Sequence, residues 1–192
     1  MKNTLKFALV LLMGTAIATG CKKDKDDPAA PAPPVNENEV ITDLYLHFTG
    51  AGSTPYTWHA STTNGLGVGT GLEIHADTLP ANGLLQATML LLNRSVTPVD
   101  TISHEVFEEG TLHQFFFLPN GVNATFTYAD QDANGHPIGL QSEWHLGAAS
   151  TGTIKVVLRH EPDKSAAGVN SGDITNAGGS TDLEVEFPAV IH

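Results

Sequence analysis

The sequence predicts an all-β fold: an antiparallel, immunoglobulin-like β-sandwich placed after a signal peptide and a Pro-rich linker. Three observations predict it. From about Glu39 to the end, apolar residues recur with a period of two in short runs. Gly, Asn, Pro and Thr interrupt those runs at short intervals. No stretch offers a capped amphipathic helix. Half-buried alternating strands of this kind imply antiparallel sheets packed face to face.

Residues 1–20 read as a lipoprotein signal peptide. Met1 to Lys6 carries two lysines and no acid, and Phe7 to Ile17 is apolar apart from Gly14 and Thr15. That run is too short to span a bilayer core of ~30 Å. Small residues, Ala18-Thr19-Gly20, lead directly into Cys21. A lipoprotein signal peptidase cuts before such a cysteine after its thiol has received a diacylglycerol, so Cys21 is the expected lipidation site and the membrane the expected partner. Ala18 stands where a lipobox usually has Leu. Cys21 is the chain's one cysteine, which excludes a disulfide framework and a thiol nucleophile.

Residues 21–38 form the expected leader. Lys22-Lys23-Asp24-Lys25-Asp26-Asp27 is a charge cluster resembling the export signal of outer-membrane surface lipoproteins, and it also serves as a solvated tether. Pro28 to Val35 is rich in Pro and Ala and suits an extended spacer of ~3.1 Å per residue.

The domain proper is expected over 39–192, long enough for a single core. The formal net charge is −12, and loss of Lys2 and Lys6 with the signal leaves −14. Such acidity excludes nucleic acid and anionic lipid as favoured partners and suits a cation, a metal or a basic surface. In Val40–Phe48, the residues Val40, Leu44, Leu46 and Phe48 fall on one face and Asp43, Tyr45 and His47 on the other. Further strands are expected at 56–60, 72–76, 84–93, 102–108, 112–118, 124–129, 138–146, 153–160 and 183–187. The Gly-rich connection 64–71 lacks the setting and the Lys of a phosphate loop and reads as a flexible loop. Residues 161–181, rich in Gly, Asn and Asp, suit a compact loop closed by side-chain-to-backbone bonds.

Three segments carry a family resemblance: Glu108–Phe117, Thr127–Gly139 and Leu158–Gly179. They resemble a family of small Bacteroidota surface lipoproteins whose members often carry the label "type 1 periplasmic binding fold superfamily protein". That label implies two α/β lobes with parallel sheets, for which this chain has neither the length nor the helices. The resemblance therefore implies a surface lipoprotein and assigns no residue roles. An outer-membrane importer is the partner that such an address implies.

Candidate chemistry divides among three places. Asp130-x-Asp132-x-Asn134-Gly135 matches the first half of a calcium loop, with oxygen ligands at alternate positions and Gly at the turn. Gln141 stands where the loop wants a bidentate Glu, and Asn134-Gly135 is equally a hairpin turn between Phe126/Tyr128 and Ile138/Leu140. His104-Glu-Val-Phe-Glu108 has the start of a zinc-protease helix without its second His, and its β-branched neighbours favour a strand. The histidines form the third. Nine histidines accompany only four Lys or Arg in the domain. His47, His59, His75 and His145 are expected to point outward. Glu73-x-His75 and Glu143-x-His145 then place a carboxylate and an imidazole ~6.5–7 Å apart on one face of a strand. His59, Glu73, His75, Glu143 and His145 are thus candidate ligands for zinc or copper, against the alternative of plain polar surface residues. No motif for nucleophilic or phosphoryl chemistry occurs. A non-enzymatic binding module is the expected function, with a structural or adhesive sandwich as the alternative.

Overall fold

The computed structural model of the protein describes residues 40–50, 55–66 and 71–192. The signal peptide, Cys21, the charge cluster, the Pro-rich leader and positions 67–70 of the Gly-rich connection lie outside the described residues. Within them the chain forms nine strands in two antiparallel sheets. The first sheet has six strands in the order β3-β2-β1-β4-β7-β6: β1 Asp43–Thr49, β2 Tyr56–Ser61, β3 Glu73–Ala76, β4 Leu84–Leu92, β6 Ala124–Tyr128 and β7 Gln141–Leu146. The second has three, in the order β5-β8-β9: β5 His113–Asn120, β8 Ser150–His160 and β9 Ser180–Ile191. The sheets pack face to face around one apolar core, so the predicted β-sandwich holds. No helix of the described residues is long and apolar enough to cross a membrane.

The period of two does the positioning. In β1, Leu44, Leu46 and Phe48 are buried, while Tyr45 and His47 on the opposite face are half-exposed. Val40 precedes the strand and is exposed, so it does not join the core face expected for it. Trp58 and Trp144 are fully buried, and Trp144 meets Phe48 edge-on at 5.2 Å and Phe117 at 5.3 Å between ring centroids. Such T-shaped pairs stabilise by about 0.5–1.5 kcal/mol beyond the area they bury.

Two segments depart from strict alternation for a physical reason. Phe115, Phe116 and Phe117 in β5, and Val156, Val157 and Leu158 in β8, are consecutive and all buried. Phe115 and Phe117 face the core between the sheets, and Phe116 and Val157 form a second cluster with Val169 and Ala177. Residues 161–179 therefore cover the outer face of the small sheet. That segment is the compact loop expected, with 3-10 turns at Val169–Ser171 and Ile174–Asn176. Asp163, Asp173 and Asn176 close it through bonds to Ser165 N, Thr175 N and Ala167 O.

One expected strand is a helix. Ile102–Glu108 forms α1, burying Ile102 and Val106 while Phe107 is exposed. Those two apolar residues stand at i and i+4, the helical spacing, and burial against the sandwich outweighs the strand preference of the branched residues. His104 and Glu108 pair on its solvent side at 3.7 Å.

The β6–β7 hairpin also differs from its expected form. Phe126 pairs with Trp144 and Tyr128 with Ser142, so residues 129–140 form a long connection rather than a two-residue turn. Ile138 and Leu140 are buried in it, and their carbonyls accept from Phe115 N at 2.7 Å and Met89 N at 2.8 Å. This crossing of the open side of the sandwich links both sheets. Gly139 makes it possible: its φ is +94°, and a Cβ there would lie 2.8 Å from Phe115 Cβ.

Candidate functional site

The outward residues of β1, β2 and β3 form a continuous polar face. Strand register sets Tyr45 opposite His59, and His59 opposite His75. The rings of Tyr45 and His59 stack at 3.9 Å with 5° between their planes. At one end of this row Asp43 is buried although it points to the outer face. Its Oδ1 lies 3.0 Å from His59 Nε2, and its Oδ2 takes Thr42 Oγ1 at 2.8 Å and Arg94 Nε at 3.2 Å. Arg94 reaches back over the face and donates from Nη2 to the Tyr45 hydroxyl at 2.8 Å. Its backbone N–H donates to Thr42 Oγ1 at 2.8 Å, which fixes where the side chain starts.

A cavity of about 350 Å³ opens beside this network, lined by Asp43, Arg94, Glu73, Ser61, Thr63 and Ser95 among others. Asp43 neutralises Arg94 directly, and Glu73 adds a second carboxylate. The guanidinium is held at two of its nitrogens by protein groups, so its orientation is set before any ligand arrives. Such a cavity can read oxygen acceptors with the fork of Arg94 and donors with Glu73 and the hydroxyls.

The residues proposed as metal ligands are distributed over this sheet as pairs. His59 is bound to Asp43, and His75 Nε2 lies 3.0 Å from Asp77 Oδ1 rather than on Glu73. His145 Nε2 does meet Glu143, at 2.9 Å, but three strands away, where Glu143 also accepts from Gln86 Nε2 at 2.7 Å. His47 lies 3.3 Å from the Thr57 hydroxyl. Among the described residues no three His, Cys, Asp or Glu side chains are grouped as a metal ion needs.

The acidic turn is put to another use. Asp130 accepts the backbone N–H of Gly139 at 2.8 Å and of Gln141 at 3.0 Å. Asp132 Oδ1 accepts those of Asn134 at 2.8 Å and His136 at 3.0 Å. Its Oδ2 receives the ammonium of Lys164 at 3.0 Å. Lys164 Nζ also donates to Pro137 O at 2.8 Å and to Gly110 O. A lysine from the long loop thus supplies the positive charge that the turn's carboxylates demand, and Asn134 is an exposed turn residue that does not join them. Burial pushes the Lys164 pKa down, against the raising effect of Asp132.

A buried histidine lies at the far end of β5. His113 Nδ1 is 3.2 Å from Glu109 O, Nε2 is 3.6 Å from Asp182, and its ring lies 5.0 Å from that of His160. Burial pushes its pKa below the ordinary histidine value.

No sequence motif marks Asp43, Arg94, Lys164 or His113 for chemistry. Asp43 stood on the outward face of β1 in the alternation, but nothing in its neighbours pointed to Arg94, which the fold brings from the end of β4. Lys164 is the one cation inside the long loop, a signal visible in the sequence yet without a partner until the loop folds back.

No family model, curated protein or solved structure matches the chain.

Proposed function

We propose that the chain is a lipid-anchored, non-enzymatic binding module of the outer membrane surface that takes a small polar ligand in the cavity beside Asp43 and Arg94. The observation that carries the reading is Arg94 itself. Its guanidinium is pinned between a buried carboxylate and the Tyr45 hydroxyl at the wall of a cavity of about 350 Å³. Because Asp43 balances Arg94 and Glu73 remains, a simple anion gains no net charge attraction there. A zwitterion suits it better, its carboxylate on the Arg94 fork and its ammonium toward Glu73. The anchor at Cys21 and an outer-membrane importer as receiver of the ligand complete the reading. They rest on the lipobox and on the address it implies.

Calorimetric titration of the full chain with free amino acids and dipeptides, each alone, tests it. Binding of at least one probe, weakened about tenfold in Arg94→Ala, supports the reading, since a hydrogen bond to a charged group contributes about 1.5–3 kcal/mol. No heat from any probe at millimolar concentration, or binding indifferent to Arg94→Ala, defeats it.

A further inference from the structure

A second cavity, of about 430 Å³, opens at the opposite edge of the six-stranded sheet, between β6, the 130–137 turn and the loop at 170–171. Its walls come from segments far apart in sequence, and Lys164 ties them together from behind. The ammonium joins the loop to Asp132 and Pro137 of the turn, so the two segments that wall the cavity are held together by a buried ion pair. Gly172 lets the loop close on β6: its φ is +91°, and a Cβ there would sit 2.8 Å from Phe126 Cζ. The floor is equally fixed. Tyr128 donates to Phe115 O at 2.6 Å and accepts from the buried Gln114 amide at 3.3 Å, which commits its hydroxyl and fixes the ring that lines the cavity.

The lining combines the rings of Phe126 and Tyr128 with Thr127, Asp130, Gln131 and Asn170. Asp130 is its only charged group, and no Lys or Arg lines it. Each Asp130 oxygen takes one backbone N–H, which orients the carboxylate and leaves further acceptor capacity on each. Asn170 Oδ1 lies 2.9 Å from His136 Nδ1; with the proton on that nitrogen, the amide NH₂ of Asn170 is left to donate. Oriented acceptors and amide donors around aromatic carbon match vicinal hydroxyls around a C–H face. Anions meet Asp130, and apolar ligands would strip water from the polar rim without replacing its hydrogen bonds.

We infer that this cavity is a binding site for a neutral carbohydrate, separate from the cavity beside Arg94. The test is calorimetric or NMR titration of the full chain with maltotriose, xylotriose, cellotriose and N,N′,N″-triacetylchitotriose, each alone, and with spermidine as a cationic probe. At least one neutral sugar should bind in the micromolar to millimolar range. Gln131→Ala and Asn170→Ala, both exposed positions, should each weaken it about three- to tenfold; Gln131→Ala should leave the melting temperature of the chain unchanged, Asn170→Ala gives up its bond to His136 as well, and Phe126 and Tyr128 signals should shift on binding. The inference is overturned if no neutral sugar binds, if binding survives both substitutions undiminished, or if spermidine alone binds.

Discussion

Lys164 Nζ lies 3.0 Å from Asp132 Oδ2 with both side chains almost wholly withdrawn from water, an ion pair between the long loop and the β6–β7 connection. Its other hydrogen bonds run to Pro137 O and Gly110 O, so the ammonium has three acceptors. The carboxylate has Lys164 and two backbone N–H groups. Full satisfaction is what makes a buried pair tolerable, since each ion alone would carry a desolvation cost of several kcal/mol. The clasp also holds the loop whose Val169 and Ala177 cover Phe116 and Val157.

Breaking the clasp from one side should be costly. Lys164→Met leaves Asp132 buried without its counter-ion and should lower stability by about 3–5 kcal/mol. Lys164→Met with Asp132→Leu should recover much of that loss, because no charge then remains buried. Denaturant midpoints of the two variants check this; equal midpoints would show that the pair contributes geometry and no charge compensation.

Acid should loosen the same clasp. Burial pushes the Asp132 carboxyl up, but the Lys164 ammonium and the N–H groups of His136 and Asn134 outweigh it and hold the pKa below the ordinary carboxylate range. A depressed folded value means that the unfolded chain takes up protons first as pH falls. The contribution is therefore complete above about pH 4, the unfolded value, and is lost as pH drops through the folded one. In Asp132→Asn this acid-dependent loss should shrink, measured as unfolding midpoints from pH 5 downward.

Calcium should find no vacancy at this turn. With Lys164 on Asp132 and backbone N–H groups on Asp130, millimolar calcium should leave the melting temperature of the full chain unchanged. A rise in melting temperature that Asp130→Ala abolishes would show that calcium binds this turn in spite of those partners.

The sandwich was legible because it depends on the alternation of side chains, and alternation is a local property of sequence. The helix at Ile102–Glu108 was not read, because seven residues with one i, i+4 apolar pair look the same as a short strand until a core surface is there to receive them. The outward histidines were legible as outward. Their partners were not, since Asp77 rather than Glu73 meets His75 and a strand cannot announce which neighbour the chain's next turn will supply. Arg94 and Lys164 act across 51 and 32 positions of sequence, on Asp43 and Asp132, and such pairings follow from topology alone.

The anchor is open to a direct test. On the proposed reading the full chain partitions into the detergent phase, and Cys21→Ser, which removes its one thiol, should shift it to the aqueous phase. Retention in the detergent phase would mean that something other than a lipid on Cys21 holds the chain to the membrane.

A second pH dependence, at milder acidity, should come from His113. Its imidazole is closed in by Glu109 O from the end of α1, Asp182 from β9 and His160 from β8. Burial lowers its pKa most; the Glu109 carbonyl and Asp182 raise it without offsetting burial, and His160 lowers it further. The folded value thus lies below the ~6.5 of an unfolded histidine. Between those two values the unfolded chain binds a proton that the folded chain refuses, so stability declines as pH falls below about 6.5, by up to about 1.4 kcal/mol per pH unit. Replacing His113 with Gln keeps a donor for Glu109 O and removes the titration. Unfolding midpoints taken between pH 7.5 and 5 should therefore fall less in His113→Gln than in the native chain, whatever the variant's stability at pH 7.5. Parallel slopes for the two proteins would place the titrating group elsewhere.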